Sequence, residues 1–195
     1  MVTDDINGCT GCSKNNATWF TPSIYSGGYQ LPGTTLNSYL NLGTFPYLVS
    51  SAAFTLSVWV APDFNQTSAN WGYVFSNNNA QLFYLAQLSD WRFLLRTTAG
   101  TYRVDTQNLS WTEDTWHMLT VTYNGSLLNI YWDGFLSSSV PATGLVYPTT
   151  SQTFLGRSTV MTGGSYQNFD GNVDELRIYN YALSGLEVIN LFLGL

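Results

Sequence analysis

Charged residues are scarce in this chain. Only 9% of its 195 residues are charged, against about 25% in an average soluble domain. Lys and Arg number 6 against 12 Asp and Glu, which gives a formal net charge of −6. This balance argues against nucleic-acid binding, because phosphate contacts need clustered cations. Disorder is also not expected, since disordered chains are poor in aromatic residues and this chain has 7 Trp, 13 Tyr and 11 Phe.

The sequence also lacks a long apolar run. Crossing a bilayer takes about 18 consecutive apolar residues, and no such run is present, so membrane insertion is not expected. The first residues, MVTDDINGCT, lack the basic and apolar regions of a signal peptide. The polarity comes mostly from Asn, Thr, Ser and Gln, which is typical of proteins that meet the extracellular environment. We expect an extracellular location or the surface of a particle such as a virion.

Cysteine and histidine are too few for a structural zinc site, which needs four ligands. Cys9 and Cys12 form the motif C-T-G-C, and the one histidine, His117, lies more than a hundred residues away. A redox C-x-x-C motif normally sits in a βαβ unit, and the sequence around this pair indicates none. A local disulfide and two reduced thiols in a turn both stay open.

Alternation of apolar and polar residues is the dominant pattern that is present. Residues 54–60 (FTLSVWV) alternate in this way, which predicts a β-strand. Two apolar runs, 82–88 and 91–97, flank a short turn at Ser89-Asp90, and residues 101–105 add a further candidate strand. The pattern predicts an all-β protein.

A three-stranded meander is predicted over residues 116–140. Its strands are 116–123, 127–132 and 135–140, and its turns are Asn124-Gly125 and Asp133-Gly134. These dipeptides favour the positive φ angles of tight hairpins. A late strand is expected at about 173–179.

A short C-terminal helix is the one clear helical signal. Ser184 and Glu187 match the S-x-x-E capping box, in which each side chain bonds a free backbone N–H of the first turn. The apolar face is predicted to contain Leu186, Ile189, Phe192 and Leu193. The length fits one domain over 1–195, with the Gly-, Asn- and Thr-rich region 1–35 as a less regular part of it.

Three stretches together resemble the laminin-G-like, concanavalin A-like jelly-roll family. They are 54–62 (FTLSVWVAP), 116–125 (WHMLTVTYNG) continuing to 130–134 (IYWDG), and 169–184 (FDGNVDELRIYNYALS). Residues 154–157 (FLGR) add the family's x-I-G-R strand between them. The resemblance covers about residues 36–192. It implies a two-sheet antiparallel sandwich, with Trp59 and Trp116 as core residues.

Catalysis is not expected. Related sandwich folds include glucanases, which carry E-x-D-x-x-E on one strand so that the carboxylates face one cleft. This chain has three glutamates, Glu113, Glu175 and Glu187, and none stands in that pattern. We expect His117 to be structural, because it has no evident nucleophile partner.

The resemblance also implies a calcium site at the rim of the sandwich. Calcium takes several oxygen ligands from carboxylates and loop carbonyls. The site would use Asp174 together with Asp4 or Asp5 from the N-terminal segment, and Asp170 is a weaker candidate because Asp-Gly also reads as a turn.

Aromatic and amide side chains in or near loops predict a ligand surface. Sugar-binding proteins stack aromatic rings on the apolar face of a sugar and hydrogen-bond its hydroxyls with Asn, Gln or Asp. The candidate ligand-binding residues are Trp71, Tyr73, Asn77, Trp91, Tyr102 and Trp111. The same aromatic residues would equally serve core packing or a protein interface.

These observations predict a non-catalytic binding module that recognises a glycan or glycoprotein surface. The alternative is a structural or assembly subunit of an extracellular particle, such as a virion surface protein, fibre or filament, which would self-associate. A glycoside hydrolase is a minor alternative. A fold resemblance alone does not choose between them.

Overall fold

The computed structural model describes residues 13–25, 27–44, 48, 51–64, 72–85, 88–107, 109–159 and 167–195. Two antiparallel sheets, each with seven described strands, pack face to face around one core. The family-based expectation of a two-sheet sandwich with a short C-terminal helix is confirmed.

Sheet A contains seven of the described strands. Its strands, in spatial order, are β1 (Ser13–Asn15), β4 (Tyr39–Thr44), β13 (Gln152–Leu155), β6 (Gly72–Ser76), β7 (Ala80–Leu85), β8 (Asp90–Arg96) and β9 (Thr101–Asp105). The order in sheet B is β12 (Phe135–Pro141), β11 (Leu127–Trp132), β10 (His117–Tyr123), β5 (Phe54–Pro62), β14 (Asp170–Tyr179), β3 (Gly28–Pro32) and β2 (Thr18–Phe20). The helices are α1 (Gly33–Leu36) and α2 (Gly185–Leu193).

The alternation in β5 places its apolar residues between the sheets. Phe54, Leu56, Val58 and Val60 are fully buried in the main core. Trp59 points to the outer face of sheet B, where it belongs to a second apolar cluster with Met118, Tyr131, Tyr179, Leu183 and Val188. Helix α2 covers the outer side of the sheet here. Every residue of β5 is therefore buried.

The predicted meander is confirmed. β10 pairs with β11 and β11 with β12, all antiparallel. The second turn has positive φ at both Asp133 (49°) and Gly134 (84°), as a two-residue hairpin turn requires. In the first turn Asn124 Oδ1 accepts hydrogen bonds from the backbone N–H groups of Ser126 and Leu127.

The capping box of α2 is confirmed, and the predicted apolar face is right for Ile189 and Phe192 but wrong for Leu186 and Leu193. Ser184 and Glu187 exchange the expected hydrogen bonds. Val188 is fully buried, and Phe192 stacks on Trp59 with ring centres 5.5 Å apart. Leu186 and Leu193 are instead exposed, because the helix turns its 188–191–192 stripe toward sheet B. None of the described helices has the length and apolar character needed to cross a membrane.

The N-terminal region is more regular than predicted. Its described part contributes β1 to one edge of sheet A, and β2 and β3 to the opposite sheet. Composition conceals these strands because β1 and β2 have only three residues each, which is too short for an alternating pattern to be recognised.

Candidate functional site

A polar pocket lies at the end of sheet A where β6 turns into β7. It has a volume of about 430 Å³ and is lined by Asn78, Pro148, Thr149, Thr150 and Ser151. We call it the rim pocket. Its walls offer an amide and three hydroxyl groups and no charged side chain, so it is suited to an uncharged polar part of a ligand.

The β6–β7 turn decides which of three consecutive asparagines faces this pocket. Asn77 is buried, and its Oδ1 accepts hydrogen bonds from the N–H groups of Asn79 (2.9 Å) and Ala80 (2.8 Å). Asn79 is also buried, and its Nδ2 donates to the carbonyl of Tyr147 at 2.6 Å. Asn78 is left exposed, with its Nδ2 2.5 Å from the Ser151 hydroxyl.

Tyr147 supplies an aromatic surface beside the rim pocket. Its ring is 41% exposed, and the Arg96 guanidinium lies 4.5 Å from the ring centre. The backbone fixes this position, because the Tyr147 N–H donates to the Arg96 carbonyl at 2.9 Å and the Arg96 N–H donates to the Asn79 carbonyl at 2.8 Å. The backbone of Tyr147 is therefore fixed to strand β8, although the residue itself lies outside the strands.

Next to the rim pocket, the outer face of sheet A carries a row of side chains that contact each other in pairs. Tyr73 on β6 stacks on Phe83 on β7 with ring centres 4.5 Å apart. Arg92 on β8 makes two hydrogen bonds of 2.7 Å to the carboxylate of Asp105 on β9. Hydrogen bonding to Asp105 raises the pKa of Arg92, and burial raises the pKa of the Tyr73 phenol.

Arg157 occupies the other half of that face. Its guanidinium lies 4.1 Å from the centre of the Tyr39 ring and 4.0 Å from that of Phe154. Tyr39 and Phe154 meet edge to face at 5.6 Å. Each half of this face therefore combines aromatic rings with an arginine.

Two of the predicted ligand residues are core residues, which corrects the sequence-based assignment. Trp91 is 0% exposed and lies between the sheets, with Tyr84 at 5.5 Å and Trp132 at 6.2 Å. Trp111 is 8% exposed and packs on Phe64 at 5.6 Å. Neither ring offers a face to a ligand.

The remaining predicted ligand residues are dispersed. Tyr73 is buried on the outer face of sheet A, and Asn77 is buried inside its turn. Tyr102 points inward from β9 and lies 3.1 Å from the Thr143 hydroxyl. Trp71 lies outside the described residues. The structure brings only the neighbourhood of Asn77 to the rim pocket, through Asn78.

Asp174, the described member of the predicted calcium site, is surrounded by hydrogen-bond donors. Its carboxylate accepts from the Ser23 hydroxyl (2.5 Å) and from the N–H groups of Ile24 (3.1 Å) and Glu175 (2.7 Å). Donors so placed hold the 23–25 segment against sheet B and do not fit a cation at the same oxygens. Asp4 and Asp5 lie outside the described residues. Within the described ranges, no three His, Cys, Asp or Glu side chains cluster as a metal site would require, and calcium binding stays a prediction.

His117 has a structural environment. Its ring stacks on Trp132 at 4.4 Å, Nδ1 lies 2.8 Å from Asp133 Oδ2, and Nε2 lies 2.9 Å from Thr115 Oγ1. The same Asp133 carboxylate accepts the N–H of Met118 at 2.8 Å. The ring thus ties the β11–β12 turn to the start of β10.

The arrangement defines a two-sheet, lectin-type sandwich with a polar pocket at its rim. A laminin-G-type family model of the concanavalin A-like lectin/glucanases superfamily matches residues 32–189. The chain belongs to this superfamily. No curated protein sequence matches the chain.

Solved structures share the fold at low sequence identity. The binding domain of Paraclostridial Mosquitocidal Protein 1 is 16% identical, with a TM-score of 0.73 over 94% of this chain and 47% of that chain. Domain 4 of AbnA, an extracellular arabinanase from Geobacillus stearothermophilus solved with arabinotriose, is 21% identical, with a TM-score of 0.67 over 92% and 86%. Botulinum neurotoxin type C, whose cell entry depends on two ganglioside molecules, is 13% identical, with a TM-score of 0.72 over 94% and 46%. The chain spans about half the length of the two toxin chains.

Proposed function

We propose that this protein is a non-catalytic carbohydrate-binding module, and that a saccharide binds at the rim pocket with one sugar ring against Tyr147. The observation that carries the proposal is an exposed tyrosine ring, fixed by backbone hydrogen bonds beside an amide and hydroxyl groups. Ligand sites commonly combine an apolar contact surface with a few placed polar groups.

The chemistry of the pocket suits a sugar. The face of Tyr147 gives the C–H side of a sugar ring an apolar contact, and Asn78, Thr149 and Ser151 offer donors and acceptors to its hydroxyls. The shallow, open shape favours recognition of a chain end or a short oligosaccharide.

The relatives support a binding role. One similar structure is a domain of an extracellular arabinanase solved with arabinotriose, and others are binding domains of toxins. An extracellular setting for this chain, as for that arabinanase, is part of the proposal.

The positions of the carboxylates support the absence of catalysis. Asp105 is held by both guanidinium contacts of Arg92, and Asp90 accepts the Thr106 hydroxyl at 3.3 Å. Glu175 bonds Arg177, and Glu187 caps α2. Each of these four carboxylates already serves a structural contact and is therefore not part of the free pair that a glycosidase needs.

The test is a glycan-array screen of the whole chain, run once with calcium and once with a chelator. Selective binding in both conditions is expected. Loss of binding in the presence of the chelator would indicate a calcium site next to the saccharide. A blank array with correctly folded protein, verified by near-UV circular dichroism, would contradict the proposal.

The edge of sheet B favours a second candidate function, assembly with copies of itself. The edge strand β12 contains no charged residue, and its Phe135 and Leu136 are 65% and 56% exposed. Open edges of this kind invite pairing with another strand. Light scattering on a sizing column would show a defined oligomer that Phe135→Lys dissociates, whereas a monomer at all concentrations would remove this candidate.

A further inference from the structure

Positive charge is concentrated on one face of an acidic molecule. Of the 6 basic residues in the chain, four lie on the outer face of sheet A, namely Arg92, Arg96, Arg103 and Arg157. The register puts two acidic residues, Asp90 and Asp105, on the same face. The described residues of that face therefore carry a net charge of +2, while the whole chain carries −6.

Within this face, Arg96 and Arg103 form a pair at the end nearest the rim pocket. Arg96 on β8 pairs with Thr101, and Arg103 on β9 pairs with Leu94, so the two arginines are diagonal neighbours. Diagonal neighbours in an antiparallel pair are about 7–8 Å apart. Both are exposed.

The third arginine on strands β8 and β9 differs from this pair because it has a carboxylate partner. Arg92 is neutralised by Asp105, whereas neither Arg96 nor Arg103 forms a salt bridge with any residue that the structure describes. Like charges on neighbouring strands repel each other. The chain has few cations, and these two lie next to a polar pocket. An anion bound between them would offset their repulsion.

We infer that the pair formed by Arg96 and Arg103 binds the acidic group of a charged saccharide, so that the ligands of this module are acidic glycans. The inference rests on the proposed carbohydrate-binding function and narrows its ligand class. The guanidinium groups receive the carboxylate or sulfate, and Arg96 also touches Tyr147, where the sugar ring lies. Acid recognition and ring stacking thus meet at one residue.

The acidic group has two chemical sources, a sugar carboxylate and a sulfate ester. Matched probes separate them: lactose against 3′-sialyllactose and against 3′-sulfolactose, and trigalacturonic acid against its methyl ester. Titration calorimetry of the whole chain with each probe gives the affinities, and arabinotriose serves as a neutral reference. The acidic member of at least one pair is expected to bind about tenfold more tightly than its neutral partner.

Single substitutions locate the effect. Arg96→Gln and Arg103→Gln are each expected to weaken binding of the acidic probe about tenfold. Binding of the neutral probe is expected to stay unchanged in Arg103→Gln. The matched control is Lys14→Gln, which removes the same charge from an exposed residue of β1 at the opposite edge of sheet A. Raising NaCl from about 0.05 M to about 0.5 M is expected to weaken binding of the acidic probe and to leave binding of the neutral probe unchanged.

The outcomes separate this inference from the proposed function. Equal affinities for the neutral and acidic probes would overturn the inference and leave carbohydrate binding intact. The same holds if Arg103→Gln binds the acidic probe with the same affinity as Lys14→Gln. Absence of binding to every saccharide, neutral and acidic, would overturn both. A sulfate preference or a carboxylate preference each supports the inference and names the source.

Discussion

The Arg96 guanidinium lies 4.5 Å from the centre of the Tyr147 ring, and the backbones of these two residues share a hydrogen bond of 2.9 Å. Cation–π contact and backbone pairing together hold Tyr147 against strand β8, one residue before Pro148 of the rim pocket. The contact thus joins the two parts of the account, a stacking surface for a sugar and a cation for its acidic group.

Removing this ring should abolish most of the saccharide affinity. Tyr147→Ala is expected to raise the Kd of a bound oligosaccharide about tenfold, since the stacking contact is lost while the sheet beneath is kept. Tyr25→Ala is a matched control, because Tyr25 is 48% exposed and has the Arg177 guanidinium 5.6 Å from its ring centre. Equal losses in the two variants, measured by calorimetry, would show that Tyr147 has no special role.

Trp91 is expected to act on stability and not on binding. Trp91→Ala should lower the free energy of unfolding by about 3–5 kcal/mol, because the cavity opens in the centre of the core. Trp91→Phe should cost clearly less, since the buried indole N–H has no hydrogen-bond partner among the described residues and its removal loses no bond. Urea unfolding gives both values. A Phe variant with native stability that fails to bind saccharide would return Trp91 to the ligand site.

Asp174 provides a test for calcium. Asp174→Asn should destabilise the fold by about 1–3 kcal/mol, because the buried carboxylate accepts three donors from the chain. The loss should be the same with calcium and with chelator if the residue only anchors the 23–25 segment. Thermal unfolding of wild type and variant in both buffers decides it, since a calcium ligand would give a loss confined to the calcium buffer.

Asp170 should make the protein less stable as the pH rises. Burial, with a smaller effect from Asp63, raises the pKa of Asp170 above its usual range. Between the unfolded and the folded pKa the folded state keeps a proton that the unfolded state has released, so stability falls as the pH rises through this interval. Asp170→Asn is therefore expected to raise Tm at pH 7 and to have no such effect below about pH 3, where both states are protonated.

The exposed Glu113 offers a control for that pH experiment. Glu113→Gln removes an equal charge from an exposed site and serves as the matched variant in the same Tm series. An Asp170→Asn variant whose Tm difference from wild type is constant from pH 3 to pH 7 would contradict the burial argument.

The sequence predicted most of the fold because its strands obey period two and its turns use residues with positive φ. Residues 54–60 and the meander around Asp133-Gly134 show both signals. It missed β1 and β2, which are only three residues long. It also misplaced part of the apolar face of α2, because Leu186 and Val188 are equally apolar and only the packing against Trp59 distinguishes them.

The site was harder to predict, because aromatic residues serve both the core and surfaces. The alternation in β8 does contain the correct answer for Trp91, which shares its face with Phe93 and Leu95 while Arg92 and Leu94 point outward. The three consecutive asparagines 77–79 carry no such signal, since the turn geometry alone leaves Asn78 exposed. Tyr147 lies in an irregular Thr- and Pro-containing stretch, where no periodicity indicates its exposure.

The most direct test of the central claim is to locate the bound saccharide by amide chemical-shift mapping, with the tightest oligosaccharide from the array titrated into the labelled chain. If the saccharide binds at the rim pocket, the largest shift changes fall on Asn78, Tyr147, Ser151 and their neighbours. Shift changes concentrated on sheet B or on helix α2, with the rim pocket unaffected, would contradict the claim.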